Sequence, residues 1–211
     1  MAGPDFSFEK TVSGVVCGID EVGRGPLAGP VVAGAVILPR RLPAVLKKYL
    51  NDSKKVPAAR RAELYDVILD CAEVGIGRAE VAEIDSVNIL QATFLAMRRA
   101  METIRADHAL VDGNRPPPLP CPITCIVEGD GKSFSIAAAS IVAKVTRDRE
   151  MERLALAHPG YGWERNAGYG TAEHLAALRS LGVTPHHRRS FAPVTALLVE
   201  TVQPFVETIS G

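Results

Sequence analysis

The chain has 211 residues, 47 % of them apolar and 23 % charged, enough for one domain with a buried core and ordinary for a globular protein. The 24 basic residues balance 24 acidic ones, so the formal net charge is zero; this excludes coating of nucleic acid by bulk charge but leaves room for a local basic groove around an acidic centre. No apolar run approaches the roughly 18 residues of a membrane span, the first residues lack the pattern of a secretory signal, and the four scattered cysteines form no CxxC pair, so a reducing cytoplasm is expected rather than a zinc site or a disulfide frame.

Residues 1–13 read as a loose end or an edge strand. Residues 15–19 and 31–38 read as strands, the second so continuously apolar that both its faces should be buried. Between their cores runs Ile19-Asp20-Glu21-Val22-Gly23-Arg24-Gly25-Pro26. Two adjacent carboxylates among apolar strands are costly to bury unless a cation or donors compensate. Taken locally, Asp20 and Glu21 hold divalent metal while Gly23-Arg24-Gly25 touches a nucleic-acid backbone, or the stretch is a charged hairpin turn.

Asn51-Asp52-Ser53-Lys54-Lys55 leads into a helix over 57–72, with Pro57 in its first turn and Asp52 or Ser53 as a cap. Lys54 and Lys55 read as a solvated turn or a phosphate contact. Residues 74–81 alternate as a strand, and Asp85 or Ser86 then caps a helix reaching about Arg105. Its stripe Leu90, Phe94, Met97, Met101 and Ile104 has helical spacing and reads as core.

His108-Ala109-Leu110-Val111-Asp112-Gly113 is a short apolar strand ending in a carboxylate and a glycine. After a stiff proline-rich loop, Ile123 to Gly131 repeats that pattern with Glu128-Gly129-Asp130-Gly131. Three strands thus end alike, and side by side in one sheet they would bring Asp20, Glu21, Asp112 and Asp130 together. Crowded carboxylates repel, and hard oxygen ligands suit Mg²⁺ or Mn²⁺. Two such ions about 3.5–4 Å apart form a clamp for phosphodiester cleavage.

Residues 133–157 read as one long helix whose small residues allow close packing on a sheet. Asp148 in its charged half competes with Asp130 for the fourth acidic position; Lys144 four residues earlier would pair with it, and the strand-end position favours Asp130. In the glycine- and aromatic-rich stretch 158–171, Tyr169 either closes a turn or offers a ring face to a base or sugar. Thr171 caps a helix ending near Gly182. Residues 184–191 form the strongest basic cluster, read as a phosphate-facing or ion-pairing turn, and 193–207 as a closing helix.

These motifs together resemble the bacterial ribonuclease HII family, the type 2 ribonucleases H. The resemblance is carried by Gly18 to Pro30, Asp52-Ser53-Lys54-Lys55, Ile84 to Ile89, Val111 to Arg115, Gly129-Asp130, Ala137 to Asp148, Gly168-Tyr169-Gly170-Thr171 and His187-Arg188-Arg189-Ser190-Phe191. It covers roughly residues 14–195, in order. It implies an α/β ribonuclease H-like fold over 1–211, a mixed central sheet flanked by helices with a helical C-terminal part. It implies hydrolysis of the RNA strand of RNA–DNA hybrids and nicking 5′ of ribonucleotides embedded in duplex DNA, by two Mg²⁺ or Mn²⁺ ions. By resemblance Asp20, Glu21, Asp112 and Asp130 would be the metal-binding carboxylates, and Asp148 a supporting helix residue. Gly23, Arg24 and Gly25 would read the 2′-hydroxyl, Tyr169 would stack near the following deoxyribose, and Lys54 would touch a phosphate. A monomer without a membrane is the default expectation. Two other readings remain open: a two-metal nuclease with no ribose requirement, and a binding protein whose acidic cluster is structural.

Overall fold

The two apolar runs flanking the acidic pair form an antiparallel hairpin, β1 (Val16–Val22) and β2 (Val31–Ile37). In this computed structural model, which describes residues 3–200, they are the centre of a five-stranded sheet. β3 (Glu73–Ala79) pairs antiparallel with β2, while β4 (His108–Asp112) and β5 (Ile123–Ile126) run parallel to β1. The order is β3-β2-β1-β4-β5, so β1, β4 and β5 lie side by side and present their C-terminal ends at one edge. The mixed sheet flanked by helices is the α/β architecture expected from the motifs.

Two short helices, α1 (Ala44–Tyr49) and α2 (Ala58–Cys71), follow β2. α3 (Val81–Met101) covers one face of the sheet and α4 (Phe134–Ala157) the other. Val31, Ala33 and Ala35 of β2 face the α3 side, whereas Val36 packs with Ala137, Ile141 and Val142 of α4. The strand period of two thus buries both faces, as the unbroken apolar run requires. α5 (Trp163–Asn166), α6 (Ala172–Leu181) and α7 (Ala192–Glu200) build the helical C-terminal part around Tyr161, Trp163 and Leu178.

Glycines set how closely helix and sheet approach. A Cβ on Gly18 would lie 2.0 Å from the Ser135 carbonyl carbon, and one on Gly34 would lie 2.7 Å from the Ala139 oxygen. Gly75 and Gly77 play the same part toward α3, where Cβ atoms would fall 1.8 and 2.0 Å from the oxygens of Ala100 and Ala96.

Several expectations are corrected. β1 runs on through Asp20 and Glu21 to Val22, because the hairpin register pairs Asp20 with Gly34 and Glu21 with Ala33. Asp130 lies beyond β5, in a 3-10 turn at Gly129–Gly131. The helix over 58–71 starts after Pro57 with no side-chain cap from Asp52 or Ser53. α3 begins earlier than its stripe suggested, capped by Glu80 in a box with Glu83, and breaks at Asn88 (φ 71°, ψ 165°). The Asn88 Oδ1 accepts from the amides of Leu90 and Gln91 and starts the second half, so Asp85 and Ser86 cap nothing there. Residues 5–11 are not loose: Glu9 Oε1 accepts from Ser133 Oγ and the Ser135 amide, and Phe6 packs edge-on against Phe134. The Thr171 cap is seen as expected, accepting from the His174 amide, and Ser133, read as the start of the long helix, caps it by accepting from the Ile136 amide. The expected closing helix is seen as α7, and its stretch past Glu200 lies outside the described residues.

Gly18→Ala lowers the unfolding free energy by about 3 kcal/mol through overpacking against α4. Urea unfolding reads this directly, and wild-type stability would mean that α4 can move away.

Candidate active site

Asp20 and Glu21 are neighbours on a strand, so their side chains leave on opposite faces of the sheet. Asp20 faces α4, where it is 6 % exposed and the nearby Ser140 hydroxyl lowers its pKa against the effect of burial. Its Oδ1 also accepts from the Glu21 amide at 2.7 Å. Glu21 leans toward α3 and accepts from Arg24 at 3.3 Å. Asp112, the last residue of β4, is held by the Gly129 amide at 2.7 Å, which joins it to the turn that carries Asp130.

One cavity of about 460 Å³ receives all four. Asp20, Glu21, Asp112 and Asp130 line it together with Gly23, Arg24, Gly25, Lys54 and Tyr169. The predicted residues are therefore brought to one place, apart from Asp148, which does not line it. Asp148 instead receives Lys144 at 2.6 Å and stands 3.9 Å from Arg61. Lys144 lines the cavity, as do Ser53 and Ser140, whose hydroxyls meet at 2.9 Å. From sequence Lys144 was read only as the partner of Asp148 and Ser53 only as a cap, and Ser140 was not singled out. Their shared sequence signal is membership of the Asp52–Lys55 and Ala137–Asp148 motifs.

The acidic residues affect one another. Burial pushes the Asp20 carboxyl well above its ordinary range, and Glu21, Asp112 and Asp130 push it further. Glu21 is raised by burial, opposed by Arg24. Asp130 is raised to about 6 by burial, by Asp52 and by Asp112, with Lys54 opposing. Asp52, read only as a cap from sequence, thus faces the cluster. A buried, mutually repelling set of carboxylate oxygens is the donor chemistry of a hard divalent cation. As the side chains stand, the described residues contain no group of three or more His, Cys, Asp or Glu arranged to hold an ion. Mutual repulsion is a sufficient physical reason for such carboxylates to stand apart.

The basic cluster at 186–189 is corrected. His187 and Arg188 are fully buried, so neither faces a phosphate. The histidines form an ordered chain behind Tyr169. The Tyr169 carbonyl can only accept, so His174 Nδ1 at 2.9 Å carries the proton. His174 Nε2 then accepts from Trp163 Nε1 and from His187 Nε2, each at 3.0 Å. His187 Nδ1 in turn accepts from the Thr184 amide at 3.0 Å. Both rings are neutral in this chain, and a proton on His187 Nδ1 would oppose the Thr184 amide. Tyr169 itself is 45 % exposed, and its Cε1 would lie 3.4 Å from a Cβ on Gly25.

Burial holds His187 down to about 4, helped by His174, His186 and His158. Its folded pKa lies below the unfolded value near 6.5, so the unfolded chain binds more protons between those limits. Stability contributed here is present above about pH 6.5 and is lost as pH falls toward 4, on the order of 2 kcal/mol. Urea unfolding at a series of pH values should show this slope, and His187→Gln should flatten it.

The sequence model of the family described as Ribonuclease HII matches residues 17–194. The ribonuclease HII of Paramagnetospirillum magneticum is 64 % identical over 93 % of this chain and 99 % of its own length. That of Rhodospirillum rubrum is 62 % identical over 95 % of this chain and 94 % of its own. Among solved structures, the ribonuclease H2 of Pyrococcus horikoshii superposes with a TM-score of 0.74 at 25 % identity, covering 89 % of this chain and 99 % of that one. A match that spans every residue lining the cavity, on the same fold, shows that this chain belongs to the ribonuclease HII family, hydrolases of the ribonuclease H type.

Proposed function

We propose that the cavity nicks a strand 5′ of a ribonucleotide in duplex DNA and cleaves the RNA strand of RNA–DNA hybrids, leaving 3′-hydroxyl and 5′-phosphate ends. The observation that carries this is the shared lining: four carboxylates and the Gly23-Arg24-Gly25 loop border one space. Acidic residues alone would suit many nucleases. A glycine loop beside them adds a ribose test within reach of the bond to be cut.

Asp20, Glu21, Asp112 and Asp130 would hold two Mg²⁺ or Mn²⁺ ions. When bound, such ions supply Lewis acidity to the phosphoryl group and lower the pKa of water. The remaining parts belong to the chain. Ser140 steadies the buried Asp20 carboxylate, and the Gly129 amide steadies Asp112. Main-chain groups of Gly23 to Gly25 approach the 2′-hydroxyl without a Cβ in the way, and that hydroxyl is what separates RNA from DNA at one position. The half-exposed Tyr169 ring beside Gly25 stacks on the adjacent deoxyribose. Lys54, exposed at the cavity rim, meets a phosphate. Asp148 supports the site by holding Lys144. Among the described residues no helix is long and apolar enough to cross a membrane.

With Mg²⁺, the protein should nick a DNA duplex bearing one ribonucleotide at the 5′ side of that ribose and leave the all-DNA duplex whole. Asp112→Asn should slow the nicking by roughly a thousandfold or more. A denaturing gel of end-labelled strands separates the outcomes. Cutting without regard to the ribose would favour the nuclease with no ribose requirement, and no cutting would favour the binding protein.

A further inference from the structure

Two arginines with no exposed surface lie beneath the ribose-facing loop. Burying a guanidinium is costly unless its donors are met, and both are met almost wholly by main-chain carbonyls. Arg147, from α4, donates to Pro30 at 3.0 Å, to Ala28 at 3.1 Å and to Ala167 at 2.9 Å. Its Nε would stand 2.2 Å from a Cβ on Gly23, whose φ is +95°. Arg188 comes from the far end of the chain. Its Nε and Nη2 donate to Gly29 at 3.0 and 2.8 Å, its Nη1 to Arg24 at 3.0 Å and its Nη2 also to Gly23 at 2.5 Å. Its own amide donates to Leu27 at 2.8 Å.

The direction of these bonds has a consequence for the loop. A trans peptide is planar, with its C=O and the next N–H pointing opposite ways. Carbonyls of Gly23 and Arg24 that point inward to Arg188 therefore turn the amides of Arg24 and Gly25 outward, on the side where these residues line the cavity. We propose that Arg188 is a positioning residue for ribose recognition: by holding the Gly23 and Arg24 carbonyls it aims the Arg24 and Gly25 amides at the 2′-hydroxyl. Arg147 has a different job. It ties the far side of the loop, Ala28 and Pro30, to the segment that carries Tyr169, and leaves the two amide-bearing peptides to Arg188. The fork of Arg188 reaches three carbonyls at once, which the single ammonium of a lysine cannot reproduce.

This inference rests on the ribose-reading role of the loop proposed above, and the test separates the two. Binding is measured for duplexes identical except for one ribonucleotide, with Ca²⁺ in place of Mg²⁺. Wild-type protein should prefer the ribonucleotide duplex; equal binding would remove the ribose-reading role itself. In Arg188→Lys the preference should fall by about 10- to 100-fold, with circular dichroism unchanged. Arg147→Lys should lose stability and keep the preference. A preference retained by folded Arg188→Lys, or lost equally in both variants, overturns the proposal. Should Arg188→Lys not fold, amide hydrogen exchange on wild-type protein decides. The Arg24 and Gly25 amides should be protected by the ribonucleotide duplex and not by the all-DNA one, and their free exchange in both complexes overturns it.

Discussion

Helix α4 can lie against β1 and β2 only because Gly18 and Gly34 carry no side chain, and the site depends on that contact. Once its first two turns are seated over these glycines, the helix delivers residues in sequence along the cavity. Ser140 reaches Asp20, Lys144 enters the cavity wall, and Arg147 reaches the carbonyls beneath the loop. Met151, fully buried, then fills the space at Gly29 and Gly168. A helix displaced outward by a methyl group would shift all of these together, since packed interiors transmit strain rather than absorb it.

The acidic cluster works against the fold that carries it. Asp20 is nearly inaccessible and its carboxyl is raised by burial and by three other carboxylates. In a poorly solvated site this repulsion is far stronger than in water. Local donors offset part of it: Ser140 and the Glu21 amide at Asp20, Arg24 at Glu21, the Gly129 amide at Asp112. What remains is electrostatic stress: a strongly acidic site carried by a small protein of zero net charge.

On the opposite wall the arrangement is inverted. Two cations are buried against carbonyls, and a chain of neutral imidazoles locks the Tyr169 carbonyl from behind. Residues that look like a phosphate-binding patch in a linear reading are internal because Arg188 and His187 pair with the loop around Ala28, about 160 positions earlier. Charge alone does not distinguish a surface arginine from one that organises backbone; only the carbonyls around it do.

By itself the sequence determined most of the elements and picked out the four carboxylates that line the cavity. Strand patterns, the Thr171 cap, and carboxylates beside glycines are local, and local physics is legible in local sequence. The resemblance to ribonuclease HII was legible for the same reason, being a set of short motifs in order. What only the tertiary structure decided is everything that depends on distant partners. The parallel pairing of β1 with β4, and of β4 with β5, is what makes three acidic segments meet at one edge. Asp85 reads as a helix cap but accepts from the Arg189 and Ser190 amides, across more than a hundred residues. The turn that carries Arg188 reads as phosphate-facing or ion-pairing, but Arg188 holds the loop, because its hydrogen-bond acceptors are carbonyls that no side-chain pattern records.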